Sequence, residues 1–195
     1  MKDTIIYKVV RLLIYLLVKI LFHPKVVGLE NIPKEGRIVL AGNHTKWKDP
    51  VALVVIVKRQ IHFLAKEELF HGITKPIMKA MGAIPVNRKI HDKDSLIKAK
   101  ECLNNDLCVG IFPEGTVNRT LDKVILPFKI GAVKMSLDTN SKIVPFTISG
   151  KYKIFGKSVE IEFLKPINVD NDLDKSNKKL MDIIENNLKE KNNEK

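Results

Sequence analysis

The sequence predicts an α/β fold in which a mostly parallel or mixed central sheet is flanked by helices. Two observations carry this prediction. Short apolar runs such as "RIVLA" and "LCVGIF" have the length and the flanking turn residues of buried strands. These runs alternate with stretches of helical period, which is typical of parallel strands joined by crossover helices. With 195 residues, the chain can form one domain with a substantial core.

The elements follow from apolar periodicity and from start and stop signals. The Val-rich stretch 49–59 fits either a helix or a strand, but Asp49 followed by Pro50 is a good start for a helix. We divide the chain into an N-terminal helix at 1–24, a main domain at 25–170 and a C-terminal helix with a polar, frayed and solvated end at 171–195. Strands are predicted at 36–42, 61–65, 83–86, 107–112, 142–149 and 158–164, helices at 49–59, 92–106 and 127–139, and short helical pieces at 66–70 and 74–82.

The N-terminal segment 5–22 predicts an amphipathic helix at a membrane interface. Its longest uncharged run, "LLIYLLV", is far shorter than the roughly 20 residues that a membrane span requires. On a helix, Lys8, Arg11, Tyr15 and Lys19 form a narrow polar stripe, and the remaining surface is apolar. Basic side chains in such a stripe reach toward lipid phosphates. A core helix with a thin exposed stripe is the alternative.

The net charge of +12 favours an anionic partner, such as an acidic membrane surface, a phosphorylated metabolite or an acidic protein. Nucleic acid is disfavoured, because only 6% of residues are aromatic and no zinc-finger spacing is present. Cys102 and Cys108 belong to no CxxC pair and are predicted to be reduced core thiols, which suits a cytosolic environment.

The stretch "GNHTKWKDP" places His44 and Asp49 directly after a predicted strand. Ligand sites in open α/β sheets collect at the carboxyl ends of strands. If a helix begins near Asp49, its carboxylate can accept a hydrogen bond from His44, which leaves the other ring nitrogen to take a proton from a hydroxyl. The spacing alone also fits a structural histidine, with Asp49 as a helix N-cap.

Three further polar features follow predicted strands. In "FPEGT", Pro113 and Gly115 predict a tight turn that presents Glu114 at its tip, where a carboxylate can bind hydroxyl groups. An ordinary turn with an exposed Glu114 is the alternative. Arg88 and Lys66 come just after the strands at 83–86 and 61–65, where they can bind a phosphate or remain solvated charges.

The order of these blocks is more specific than any one of them. H-x4-D, A-K-E-E-L-F, G-A-I-P-V-x-R, F-P-E-G-T and I-V-P-F together resemble the glycerolipid acyltransferases, and most closely the lysophosphatidate acyltransferase family. The likeness covers roughly residues 25–165, so it implies an acyltransferase domain at 25–170. It also implies that His44 is the general base toward the hydroxyl of lysophosphatidate and that Asp49 orients His44, without a covalent acyl-enzyme.

The resemblance assigns further roles and shows one departure. The family commonly has an arginine directly after F-P-E-G-T, whereas this chain has Val117, so Arg119 is the candidate replacement. Pro145 is linked to the acyl or acceptor pocket. No metal or bound cofactor is implied, since acyl carrier protein or acyl-coenzyme A is a co-substrate. By resemblance, the phosphate and acceptor are bound by Lys66, Arg88, Glu114, Gly115, Thr116 and Arg119.

The implied partners are lysophosphatidate, an acyl thioester, an anionic membrane surface and the acidic acyl carrier protein, which a basic surface attracts. The implied location is the cytoplasmic face of the cell membrane, with peripheral or monotopic attachment through residues 5–22. Lys46 and Lys48 either hold anionic head groups or are solvated. Two alternatives remain: a relative that acts on another lysolipid or alcohol, and a basic membrane-surface or nucleic-acid-binding protein with a decayed active site.

Overall fold

A computed structural model describes residues 7–9, 11, 12, 15, 24–87, 92–120, 123–152 and 159–193. Within these residues, seven strands form one sheet in the order β1-β7-β6-β2-β5-β3-β4. The strands are β1 (Lys25–Val27), β2 (Ile38–Gly42), β3 (Ile61–Lys66), β4 (Ile84–Val86), β5 (Cys108–Ile111), β6 (Lys142–Gly150) and β7 (Val159–Phe163). The predicted fold class is confirmed.

The sheet is mixed, because β6 and β7 pair in the antiparallel sense while the other neighbouring strands are parallel. Residues 151–158 between β6 and β7 are too few for the crossover connection that parallel pairing needs. Strand β1 was not predicted. Its three residues are largely exposed and lack the apolar run on which strand prediction depends.

Helices cover both faces of the sheet. The α-helices are α1 (Asp49–Ile56), α2 (Thr74–Ala80), α3 (Lys93–Asn104), α4 (Gly131–Asp138) and α5 (Leu173–Asn193), and two short 3-10 helices lie at Leu29–Asn31 and Glu67–Phe70. Alternate residues of β2 face opposite cores, with Ile38 and Leu40 on the side of α1, and Val39 and Ala41 on the side of α3, α4 and α5. Both faces are therefore buried, as is usual for parallel strands.

Helix α5 buries one face in the core, while the polar residues 189, 190, 192 and 193 at its end are exposed. Leu180, Ile184 and Leu188 recur every four residues and are buried. Near the end of α5, Asn187 accepts a hydrogen bond from Thr147 in β6 at 2.7 Å. The apolar residues occupy one face of the helix and bury it against the sheet, a face that the Asn- and Lys-rich composition did not indicate.

The N-terminal helix contacts the domain through Arg11, which we expected to reach lipid phosphates. Its guanidinium instead donates hydrogen bonds to the carbonyl oxygens of Val54, Val55 and Val57 at 3.1, 3.4 and 3.2 Å. These carbonyls lie at the C-terminal end of α1, where helical carbonyls lack partners within the helix and a cation is favoured. Arg11 thus stabilises the helix that begins at Asp49.

Another side of this helix is exposed and carries Lys8 beside two apolar residues. Tyr7 is buried in the core, whereas Val9 and Leu12 are more than half exposed, at 52% and 58%. Of the interface helix predicted at 5–22, the structure describes residues 7–9, 11, 12 and 15, and the other positions, Lys19 among them, lie outside the described residues. No helix among the described residues has both the length and the apolar character needed to span a bilayer.

Candidate active site

His44 and Asp49 meet in a buried contact at the carboxyl edge of the sheet. His44 follows the end of β2, and Asp49 is the first residue of α1. The His44 Nδ1 atom lies 3.0 Å from Asp49 Oδ2, and the two residues are 8% and 0% exposed. Because an ionised carboxylate only accepts hydrogen bonds, Nδ1 carries the hydrogen and Nε2 remains for proton transfer.

The Asp49 carboxylate is surrounded by donors. Its Oδ2 atom accepts hydrogen bonds from the backbone N–H groups of Thr45 at 2.6 Å and Lys46 at 2.8 Å. Its Oδ1 atom accepts one from the Tyr152 hydroxyl at 2.9 Å. These bonds offset the cost of burying a charge. They also show that the expected N-cap is wrong, since Lys48 occupies that position and Asp49 faces back toward the loop.

Tyr152 is a residue that sequence analysis missed. It lies two positions past β6, whose end reaches the same edge as the end of β2 because the two strands are parallel. Burial and the adjacent Asp49 carboxylate raise the pKa of the Tyr152 phenol well above its ordinary value. The phenol therefore keeps its proton and remains a donor to Asp49. Its position after a strand end was the available signal, but nothing in the sequence paired it with Asp49.

Glu114 is buried, so the predicted exposed carboxylate at the tip of a turn is wrong. Its Oε1 atom accepts the backbone N–H of His44 at 2.6 Å, and Oε2 accepts that of Leu126 at 2.8 Å. Burial raises the pKa of this carboxyl, and the two N–H donors oppose that change. Since β5 lies beside β2, the turn after β5 brings Glu114 against the loop that carries His44.

The turn that carries Glu114 closes as predicted. The Gly115 N–H donates to the carbonyl of Phe112 at 2.9 Å, and Gly115 has a φ of 70°, which favours glycine. Further along, the Asn118 N–H donates to the His44 carbonyl at 2.8 Å. The loop after β5 therefore engages both backbone groups of His44, while the His44 ring stacks on Phe112 with centroids 4.0 Å apart.

A second missed residue, Asn43, attaches the same loop to β6. Its side-chain oxygen accepts the Ile148 N–H at 2.7 Å, and its amide nitrogen donates to the Ile148 carbonyl at 2.9 Å. Asn43 is buried, so these two bonds satisfy polar groups that would otherwise be costly. A polar residue directly after a buried strand was visible in the sequence. Together, Asn43, Glu114 and Asn118 hold His44 from both sides.

The other predicted substrate-binding residues are at the same edge or outside the described part of the chain. Lys66 is exposed at the end of β3, while Thr116 and Arg119 are exposed on the loop after β5. Because β2, β3 and β5 are parallel neighbours, these side chains follow strand ends at one edge. Arg88 lies outside the described residues. The phosphate contacts assigned to these residues stay predictions.

The cysteines are unsuited to nucleophilic chemistry. Cys108 is buried in β5, and burial raises the pKa of its thiol to about 12. Cys102 is half-buried, and burial raises the pKa of its thiol as well. Among the described residues, His, Cys, Asp and Glu side chains do not gather in groups of three or more suited to a metal ion. The expectation of no metal and no bound cofactor stays a prediction.

Comparison with known proteins identifies several relatives. A 1-acyl-sn-glycerol-3-phosphate acyltransferase of Borreliella burgdorferi is 34% identical over 69% of this chain and 54% of its own length. The protein of the same name from Bacillus subtilis is 36% identical over 65% of this chain and 62% of its own length. The chain thus spans about half the length of the curated relatives it matches.

The fold is also found in a solved structure. The crystal structure of the 1-acyl-sn-glycerophosphate acyltransferase PlsC from Thermotoga maritima matches 94% of this chain and 80% of that one, with a TM-score of 0.74 and 22% identity. The family model described as acyltransferase matches residues 23–149. That range includes the loop of His44 and Asp49 and the turn of Glu114. Because the match covers most of the chain and both loops of the buried cluster, the chain belongs to the acyltransferase family.

Proposed function

We propose that the protein transfers a fatty acyl chain from a thioester to the free hydroxyl of lysophosphatidate, giving phosphatidate. The observation that carries this proposal is the buried contact between His44 and Asp49, inside the region that matches the acyltransferase family. The names of the relatives supply the acceptor, a 1-acyl-sn-glycerol-3-phosphate. Either acyl carrier protein or acyl-coenzyme A serves as donor.

The reaction begins with His44 as general base. Its Nε2 atom takes the proton of the acceptor hydroxyl while the hydroxyl oxygen attacks the thioester carbonyl carbon. The new carbon–oxygen bond forms as the carbonyl becomes a tetrahedral oxyanion. When the oxyanion collapses, the carbon–sulfur bond breaks, and the proton on Nε2 passes to the departing sulfur. The products are an ester and a free thiol, so His44 returns to its starting form.

Asp49 acts while the imidazole ring is protonated. Its carboxylate lies 3.0 Å from Nδ1 and stabilises the imidazolium that forms after proton transfer. The backbone donors of Thr45 and Lys46 and the Tyr152 hydroxyl hold the carboxylate in one orientation. Glu114 is a positioning residue, because it binds the backbone N–H of His44. In this mechanism Glu114 holds His44 in place and does not bind the acceptor directly.

The negative charge of the acceptor suits the basic side chains near this edge. Lys66, Arg119 and Arg88 are the proposed phosphate ligands, and the net charge of +12 supports an anionic substrate. We also propose that the protein works at the cytoplasmic face of the membrane. The exposed Val9 and Leu12 support attachment through the N-terminal helix.

The test is mass spectrometry of products after the purified protein is mixed with lysophosphatidate and one acyl donor at a time. We expect phosphatidate with the native chain and a loss of about 10²–10⁴-fold with His44→Ala, the usual range for removing a general base. His62→Gln is the matched control, because His62 is also buried but hydrogen-bonds to the Gly82 carbonyl instead. Full activity in His44→Ala would refute the mechanism. Equal rates with an uncharged alcohol would refute the phosphate roles.

A further inference from the structure

The connection from β3 to β4 buries none of the residues in its helices. It consists of the 3-10 helix Glu67–Phe70, a short turn and α2 (Thr74–Ala80). A helix that joins parallel strands ordinarily covers one face of the sheet and buries an apolar side. Here residues 71–77 are all exposed. We call residues 67–80 the docking segment.

The docking segment exposes large aliphatic side chains. Ile73 is 90% exposed, and Leu69 and Ile77 are also exposed. Ile73 and Ile77 are four residues apart around the first turn of α2, so they lie on the same side. Single exposed apolar residues are normal on a protein surface, but several on one protruding segment indicate a contact surface.

The same edge carries an exposed tryptophan. Trp47 lies on the loop between His44 and Asp49 and is 72% exposed. That loop follows β2, the docking segment follows β3, and only β5 lies between these parallel strands. Trp47 and the docking segment therefore lie at the same edge of the sheet as His44. Tryptophan favours the boundary between lipid and water, because its ring is apolar and its N–H is polar.

The charge of this edge is positive on balance. The acidic side chains of the docking segment are Glu67 and Glu68, at its start. Beside the segment, Asp92 and Asp94 lie near Glu67. The basic side chains at this edge are more numerous, and the exposed ones include Lys46, Lys66, Lys75, Lys79, Lys93 and Arg119. Lysines near a bilayer are attracted to anionic lipid head groups. Apolar side chains interspersed with lysines suit a surface that inserts shallowly into an anionic bilayer.

We propose that the docking segment and Trp47 form a membrane-contact surface that seats the carboxyl edge of the sheet on an anionic bilayer. This surface is separate from the N-terminal helix and adds a second attachment. The inference rests on the proposed function in one respect: a lipid acceptor comes from the bilayer, so an active site facing the bilayer receives it without full transfer through water. Ile73 and Leu69 insert among the lipids, and Lys75 and Lys79 contact their head groups.

Vesicle flotation of the full chain tests the surface directly. We expect Ile73→Ser to weaken binding to phosphatidylcholine–phosphatidylglycerol vesicles about ten-fold, because one large aliphatic side chain no longer leaves water. Ile97→Ser on α3 is the matched control, since Ile97 is exposed at 48% on a different helix. We expect the double variant Lys75→Gln/Lys79→Gln to bind vesicles that contain phosphatidylglycerol more weakly than the native chain does. On vesicles of phosphatidylcholine alone, we expect the two proteins to bind equally. Unchanged binding in both the Ile73 and the lysine variants would overturn the proposal.

An environment-sensitive fluorophore provides a second measurement that does not depend on affinity. The label is attached through Ile73→Cys in a Cys102→Ser background, and through Ile97→Cys for comparison. We expect the emission of the label at position 73 to shift to the blue when vesicles are added, and the emission of the label at position 97 to stay unchanged. A water-like emission at position 73 on vesicle-bound protein would overturn the proposal. A blue shift that appears without vesicles, on self-association or on addition of an acidic carrier protein, would also overturn the proposal.

Turnover assays separate this proposal from the proposed function. We expect Ile73→Ser to lower the rate on lysophosphatidate embedded in vesicles and to leave the rate on a water-soluble, short-chain lysophosphatidate unchanged. Equal losses on both acceptors would place Ile73 in the active site and overturn the docking role. If the native chain turns over neither acceptor, the proposed function fails, while flotation and fluorescence still decide whether this surface binds membranes.

Discussion

Replacing Asp49 with asparagine removes a buried charge while nearly preserving the shape of the side chain. Oδ2 accepts the N–H groups of Thr45 and Lys46 and lies 3.0 Å from His44 Nδ1. An amide oxygen in that position keeps all three contacts. The amide NH2 then faces the Tyr152 hydroxyl, which can accept instead of donating. Asp49→Asn therefore keeps the loop and removes the negative partner of the imidazolium.

The size of the effect follows from the geometry. With the two charge centres about 4 Å apart and an effective dielectric constant of about 20, their attraction is about 4 kcal/mol. Losing that attraction in the transition state lowers kcat/KM about 10³-fold. The free energy of unfolding should change by less than about 2 kcal/mol, because weaker hydrogen bonds are offset by the absence of a buried charge.

The assay measures kcat/KM for lysophosphatidate and urea unfolding on the same preparations. Asp138→Asn is the matched control. The Asp138 carboxylate pairs with Lys100 at 3.2 Å and Lys134 at 2.8 Å. Asp138 ends α4 just before β6 begins, so it lies at the amino edge of the sheet, opposite His44. We expect this control to leave kcat/KM unchanged.

Two results would contradict the proposed role of Asp49. If Asp49→Asn keeps more than about one tenth of kcat/KM with unchanged stability, the carboxylate does not stabilise a charged His44. If kcat/KM and the free energy of unfolding both collapse, Asp49 acts mainly by holding the loop. Only a large loss of activity in a stable variant supports a charge that acts during catalysis.

Three further predictions test the surroundings of the site and the C-terminal helix. Tyr152→Phe should lower kcat/KM about ten-fold at unchanged far-UV circular dichroism, because one hydrogen bond to a charged group is lost. Glu114→Gln should lower the urea-derived free energy of unfolding by about 2–3 kcal/mol, and an unchanged value would contradict it. The two buried N–H groups bind different oxygens of the carboxylate, and an amide has an NH2 group in place of one of them. Lys191 pairs with Glu160 and with Glu162, each at 2.7 Å. Together with Lys25 it holds the pKa of Glu160 below its usual value, so the pairing stabilises the fold above the pKa of Glu160 in the unfolded chain, and this stability is lost as pH falls through its pKa in the folded protein. Lys191→Met should therefore flatten the acid limb of a plot of melting temperature against pH, and an unchanged limb would argue against the pair.

Several elements were predictable because their signals are local. The strand β2 is an apolar run between glycines, and the start of α1 was visible from Asp49 and Pro50. The contact of His44 with Asp49 was also predictable, since both residues belong to one short loop. Strand β1 and the buried face of α5 were missed. A short or largely polar segment has a weak local signal, and its structure depends on the surface against which it packs.

The role of Glu114 shows where local reasoning ends. The turn "FPEGT" was correctly predicted, but the direction of the Glu114 side chain depends on which strand lies beside β5. Since that neighbour is β2, the carboxylate meets the His44 N–H instead of solvent. Arg11 is a similar case. The residues of the N-terminal helix do not indicate that this helix packs beside the C-terminal end of α1, where Arg11 finds its carbonyl partners.

The sequence by itself determined the α/β class, the family resemblance and the residues His44 and Asp49. Periodicity and turn residues depend on neighbouring positions, and motif order depends on the sequence alone, so these features can be found without the tertiary structure. Only the tertiary structure decided that Tyr152, Glu114 and Asn43 surround this pair and that Ile73 is left outside the core. Those outcomes depend on strand order and on burial, which bring together residues far apart in the chain, such as the Asn43 side chain and the backbone of Ile148, 105 positions later.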